Sequence, residues 1–208
     1  MNKVLIITAA LCSIFSLVYS QSKTQLGITV EGLAFMPTTT SAYSPPNKNG
    51  LGSGIGVYAS RTISKHFSAN IGLAYRYKEM QQHYVFYSGD GSYSPENKVQ
   101  GWDNLPLHSV VVPIHVQLLL PKSFFVRAGI ESDWLINYKI VNDKPEFNWT
   151  MGIGSAKYKL NWSLNYIHGF KDQGFGNKTL EADGHFKGSI YRNNMFQLSL
   201  SYPIWQIK

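Results

Sequence analysis

The chain has 208 residues, with 19 Lys and Arg against 12 Asp and Glu, a formal charge of +7 and one cysteine. A single cysteine excludes an internal disulfide and a cysteine-cluster metal site, and no stretch after residue 20 approaches the ~20 apolar residues that a spanning helix needs. The positive balance suits anionic lipid or an acidic polymer, but lysines spread over polar connections account for it, and no nucleic-acid partner is expected.

The N-terminal segment, residues 1–20, reads as a cleavable signal peptide. Lys3 supplies a positive n-region, Val4 to Val18 is nearly all apolar, and Val18-Tyr19-Ser20 offers a cut after Ser20. Cys12 falls inside it, so the one domain expected over residues 21–208 contains no cysteine.

From there the chain alternates with a period of two, the pattern of strands with unlike faces. The first run sets Leu26, Ile28, Val30, Ala34 and Met36 against Gln25, Gly27, Thr29 and Glu31. The second sets Leu51, Ile55, Val57 and Ala59 against Gly52, Gly54, Gly56 and Ser60, and the third sets Ala69, Ile71, Leu73, Tyr75 and Tyr77 against Ser68, Asn70, Gly72, Arg76 and Lys78. In the fourth, Val112, Ile114, Val116 and Leu118 oppose His115 and Gln117. Val126, Ala128, Ile130 and Trp134 then oppose Arg127, Gly129, Glu131 and Asp133. Phe147, Trp149, Met151 and Ile153 oppose Asn148, Thr150, Gly152 and Gly154. Leu160, Trp162, Leu164 and Tyr166 oppose Asn161, Ser163 and Asn165, and Phe196, Leu198, Leu200, Tyr202 and Ile204 oppose Gln197, Ser199 and Ser201. That makes eight strands, an even number, and no helix.

Three features turn the apolar face outward to lipid. The opposite face is small and polar, which fits the narrow lumen of a closed eight-stranded barrel; a solvent-exposed face would favour Lys and Glu. Aromatic residues sit at the ends of the apolar faces, with Tyr75, Tyr77, Trp134, Phe147, Trp149, Tyr166 and Phe196 at one end and Phe67, Phe124, Trp162 and Tyr202 at the other. Two such girdles are what the two interfaces of a bilayer select. Finally, long connections (37–50, 79–107, 138–146, 170–193) alternate with tight ones (61–66, 120–123, 155–158), which puts every long loop on one side of an up-and-down barrel. The expected fold is an all-β, eight-stranded antiparallel transmembrane barrel in a bacterial outer membrane. It closes by pairing the last strand with the first, because hydrocarbon leaves no partner for an open sheet edge. A soluble lipocalin-like ligand-binding barrel is the competing fold.

Two segments carry a resemblance. Val110-Val111-Val112-Pro113-Ile114-His115-Val116-Gln117-Leu118 with Phe124-Phe125-Val126-Arg127-Ala128-Gly129-Ile130, and the closing Asn194-Met195-Phe196-Gln197-Leu198-Ser199-Leu200-Ser201-Tyr202-Pro203, resemble the PorT-like small outer-membrane β-barrels of Bacteroidota. The resemblance spans roughly residues 24–205. It implies the same barrel and location, and an accessory role in protein secretion. Pro113 lacks a ladder donor, so a bulge or local break is expected there.

Glu31, Arg76, Lys78, His115, Arg127, Glu131 and Asp133 all have inward parity. Charges in a narrow lumen must pair or meet water, so a structural polar network is expected of them. His115 with Glu131 or Asp133 and a lumen serine is the alternative, an enzyme acting on lipid or lipopolysaccharide. The expectation is nevertheless of no catalytic, metal-binding or cofactor-binding residue: His66, His83, His108, His168 and His185 have no metal-ligand spacing. Gly50-Leu51-Gly52-Ser53-Gly54-Ile55-Gly56 lacks the Lys-Ser ending of a phosphate loop and a following helix. The remaining candidate is a contact surface on the 79–107 loop, formed by Tyr84, Phe86, Tyr87, Tyr93 and Trp102, since aromatic-rich loops bind well. Its expected partners are outer-membrane lipid, lipopolysaccharide and other envelope or secretion proteins, around a monomeric barrel.

Overall fold

The computed structural model describes residues 23–38, 47–87, 98–137, 145–157, 159–171, 173–176 and 188–207. The expected signal peptide lies outside these residues, as do Tyr93 and His185.

Among the described residues eleven strands follow one another: β1 (Thr24–Phe35), β2 (Asn47–Lys48), β3 (Gly50–Thr62), β4 (Phe67–Tyr87), β5 (Lys98–Leu119), β6 (Phe124–Leu135), β7 (Glu146–Ser155), β8 (Asn161–Gly169), β9 (Gln173–Gly176), β10 (Gly188–Tyr191) and β11 (Asn194–Ile207). Eight of them form a closed antiparallel ring in the order β1-β3-β4-β5-β6-β7-β8-β11. Val30 of β1 pairs with Ile55 of β3 on one side and Leu200 of β11 on the other, so the last strand shuts the ring against the first. The two-residue β2 adds to β4 at Gln81 and Gln82, and β9 with β10 makes a separate hairpin. Each ring strand coincides with one of the alternating sequence runs.

Side-chain exposure divides by parity. Ile55 is 60 % exposed and Met151 is 52 % exposed on the outside, whereas Arg76 and Lys78 are 1 % and 0 % exposed on the inside. Val30, Val116, Ile130, Leu164 and Leu198 continue the outer belt. At its long-loop edge the aromatic rings touch: Trp149 and Tyr166 centroids are 5.6 Å apart, and Tyr166 and Phe196 are 5.2 Å apart. His168 and His108 join this rim, His168 at 5.4 Å from Trp149 and His108 at 5.3 Å from Tyr77.

Four details differ from the alternation alone. First, most of 79–107 is strand, not loop: β4 and β5 stay paired from Phe67↔Leu118 to Tyr87↔Lys98. A bilayer needs only about 9–11 residues of tilted strand, so the upper half of this hairpin stands beyond the belt. There the two strands keep pairing with each other beyond the lipid belt.

Second, Pro113 causes a break without a bulge. The β4–β5 ladder runs to Ile71↔Ile114 and resumes at Ala74↔Val111 in unchanged register. The lost proline donor is tolerated because the ring of the barrel holds both strands from their other sides, where Pro113 is opposite Glu131 and Gly72 is opposite Tyr58. Third, the one register shift in the β1–β11 ladder lies between Leu26↔Trp205 and Gly27↔Pro203, again beside a proline. Fourth, the lumen is not polar throughout. At the long-loop end Leu33, Phe35, Met80, Leu107, Leu135, Ile167, Tyr191 and Met195 form a buried apolar cluster, with Phe35 and Tyr191 edge to face at 5.7 Å. Inward parity there meets neighbouring side chains and not water, so apolar packing replaces ion pairing.

Candidate functional site

The lumen is layered along its axis. Below the apolar cluster, Lys78 of β4 reaches Asp133 of β6, with Nζ 2.8 Å from Oδ2. Asn193 Nδ2 donates to the same oxygen at 3.5 Å, and Glu146 of β7, 6 % exposed, is opposite Asp133 in the ladder. The Lys78 ammonium lies 5.3 Å from the Phe35 ring centroid, which ties the ionic layer to the apolar one.

One layer lower, Arg76 sits between two carboxylates. Its Nε donates to Glu31 Oε2 at 2.6 Å, and its Nη1 and Nη2 donate to the two oxygens of Glu131 at 2.7 and 3.1 Å. The second contact is bidentate, the geometry in which guanidinium binds carboxylate most strongly. Asn148 Nδ2 adds a donor to Glu131 Oε1 at 3.4 Å. These side chains start from β1, β4 and β6, which are not neighbours in the ring, so they must cross the lumen. Gly54 lies between Glu31 and Arg76 in the ladders, and a Cβ there would come 2.8 Å from Glu31 Oε2 and 3.2 Å from Arg76 Cγ. Gly54 is therefore the space that lets the ion pair form.

Below this triad the contacts loosen. Arg127 donates from Nη2 to Ser163 Oγ, and its guanidinium lies 5.3 Å from the Phe125 ring centroid. Asn165 Nδ2 donates to Gln197 Oε1 at 2.8 Å. His115 is buried against Gly129, where a Cβ would lie 2.6 Å from its Cδ2. Arg127, Phe125, Gln197 and His115 border a cavity of about 250 Å³ in the tight-turn half of the barrel, lined also by Tyr58, Ser60, Asn70, Gln117 and Ser199.

Of the seven charged or titratable residues expected in the lumen, five meet in two groups: Glu31, Arg76 and Glu131, and Lys78 with Asp133. His115 and Arg127 stand outside these groups and line the cavity, which Glu31 and Arg76 also border. Among the described residues no hydrogen bond joins His115 to a serine or a carboxylate, so the nucleophile–base–acid arrangement that a serine hydrolase requires is not assembled there. Glu146 escaped the sequence reading because its position was given to a loop. Extending the alternation of Asn148 and Thr150 back by one step would have placed it inside.

The candidate outer surface is divided. Tyr84, Phe86 and Tyr87 belong to β4 and not to a loop. Trp102 lies on β5, 39 % exposed, with Lys48 Nζ 3.9 Å from its ring centroid and the His83 ring edge-on at 5.1 Å.

No protein-family model matches the chain, and no curated protein matches it either. Among solved structures it is similar to the outer membrane protein OprG from Pseudomonas aeruginosa, at 6 % identity over 90 % of this chain and 98 % of that one, with a TM-score of 0.51. It also matches outer membrane protein AlkL, solved in lipid bilayers, at 14 % identity over 89 % of this chain and 92 % of that one, with a TM-score of 0.45. A third match, Escherichia coli outer membrane protein W, is 11 % identical over 89 % of this chain and 100 % of that one, with a TM-score of 0.39. The fold is that of the small bacterial outer-membrane barrels, and a ring with this much apolar surface outside requires lipid around it.

Proposed function

We propose that in the bacterial outer membrane this protein is a non-enzymatic barrel with a structural or interaction role, its working surface being the projecting β4–β5 hairpin and the connections beside it. The observation that carries this reading is the filling of the lumen. Among the described residues a buried ion triad, a second ion pair and an apolar cluster succeed one another along the lumen axis, where an aqueous path would run, and His115 has no hydrogen bond to a serine or a carboxylate. Contact chemistry is then left to the outside, where the Trp102–Lys48–His83 group suits a sugar-and-phosphate surface such as lipopolysaccharide or a partner protein. A finer role, accessory to protein secretion, rests on the resemblance of the β5–β6 hairpin and of β11 to PorT-like barrels.

Two experiments test it. Purified barrel incubated with radiolabelled outer-membrane lipid is expected to give no product; turnover that His115→Ala abolishes would replace this reading with the enzyme one. Deleting the gene is expected to leave the membrane intact and to lower the export of secreted proteins. Unchanged export would remove the secretion role while leaving the interaction role standing.

A further inference from the structure

Four groups able to donate stand unpaired around the cavity in the tight-turn half of the lumen. Tyr58 Oη, Asn70 Nδ2, His115 Nε2 and Arg127 Nε are all buried, all on residues lining the 250 Å³ cavity, and none has a hydrogen-bond partner. The ladders bring them together. Asn70 is directly across from His115; Arg127 is across from Gln117, the next inward residue of β5; and Tyr58 is across from Gly72, the next inward residue of β4.

Asn70 Nδ2 and Arg127 Nε can only donate, while the tyrosine hydroxyl and the imidazole nitrogen can do either. Leaving such groups dry and unpaired is costly, and most of all for a guanidinium. The other lumen cations avoid that cost: Arg76 has two carboxylates and Lys78 has Asp133. Arg127 has no ion pair among the described residues. Glu31 borders the same cavity, but its Oε2 is engaged by Arg76.

We propose that this cavity binds a small oxyanion, a carboxylate or a phosphate on a short organic solute, with Arg127 and Asn70 as its principal donors and Tyr58 and His115 completing the shell. A guanidinium fork with amide support matches the oxygens of such a group. The volume lies just under the ~300–1,000 Å³ of pockets for drug-sized ligands, which admits a short acid or phosphate monoester and excludes acyl chains. The ion pairs and the apolar cluster close the long-loop side, so the ligand enters from the tight-turn end, which faces the periplasm in barrels of this kind.

The test uses the full chain, isotopically labelled and extracted from membranes in detergent. It is titrated separately with sodium phosphate and sodium acetate, with sodium chloride at matched ionic strength as the control. The Arg127 Nε–H and Asn70 side-chain amide resonances are expected to shift saturably with at least one oxyanion and not with chloride. Arg127→Gln, and Asn70→Asp, which sets a carboxylate of the same size beside the ligand, are each expected to weaken binding roughly tenfold or more, with heat-modifiable migration retained. Shifts that rise linearly, equal those in chloride, or persist unchanged in either variant would mean that the cavity holds water alone, and would overturn the proposal. Should Arg127→Gln fail to fold, the wild-type titration and Asn70→Asp decide it.

Discussion

Arg76 is the residue on which the lumen turns, since one guanidinium bridges carboxylates from two other strands. Removing one partner of a buried ion network leaves the others uncompensated, which costs about 3–5 kcal/mol. Arg76→Ala is therefore expected to lower barrel stability by about that amount, read as a shift in the urea unfolding midpoint in detergent. The glycines opposite the large polar side chains act by absence. At Gly129 a Cβ would lie 2.1 Å from the Ile114 carbonyl oxygen and 2.6 Å from the His115 ring. Gly129→Ala must displace backbone as well as ring and is expected to cost about 1–3 kcal/mol, by the same unfolding measurement. Inward parity made these positions legible in the sequence, whereas Glu146 and Asn193 fall in the connections 138–146 and 170–193 that the alternation leaves out. The choice of partner was not legible, because Glu31, Arg76 and Glu131 are brought together across the lumen, far apart along the chain.

At the scale of the element, the strands divide into a part that meets lipid and a part that does not. Val116 and Ile153, 51 % and 55 % exposed, lie in the outer belt. A charge near the bilayer midplane of a barrel costs about 2–4 kcal/mol, so Ile153→Lys is expected to destabilise by up to that amount in lipid vesicles. Trp102 lies on the projecting half of β5, where the environment is aqueous and the cation–π contact with Lys48 is worth about 0.5–1 kcal/mol. Trp102→Ala is expected to change the unfolding midpoint by no more than that, and in a variant whose other four tryptophans are replaced by Phe the Trp102 emission should be quenched by acrylamide and not by brominated lipid chains. Quenching by the lipid probe would place the hairpin in the membrane. The extension of this hairpin was hard to see from the sequence because its outer residues mix aromatic, charged and glycine positions without a buried face to enforce alternation.

For the whole molecule the decisive contact is the β1–β11 pairing, between residues nearly the full chain apart. Without it, β1 and β11 would present unpaired backbone edges to lipid, where each unsatisfied group costs several kcal/mol. Ending the chain after Arg192 is expected to abolish the folded, heat-modifiable species on a detergent gel, whereas the full chain migrates differently before and after boiling. A truncated chain that still shows the shift would mean that the ring closes some other way.

What the sequence determined by itself is everything that repeats every second residue: where the eight strands cross the belt, which side chains share a face, the aromatic rims and therefore the barrel. These are local properties, fixed by the pleat of a strand and by lipid on one side of it. The tertiary structure alone decided which charges pair, that the lumen ends in an apolar cluster around Phe35 and Tyr191, that Pro113 breaks a ladder without shifting it, and that Arg127 is left facing an empty-handed set of donors. Those outcomes depend on register around a closed ring and on side chains reaching over glycine to strands that are not their neighbours, and a pattern of period two carries no information about either.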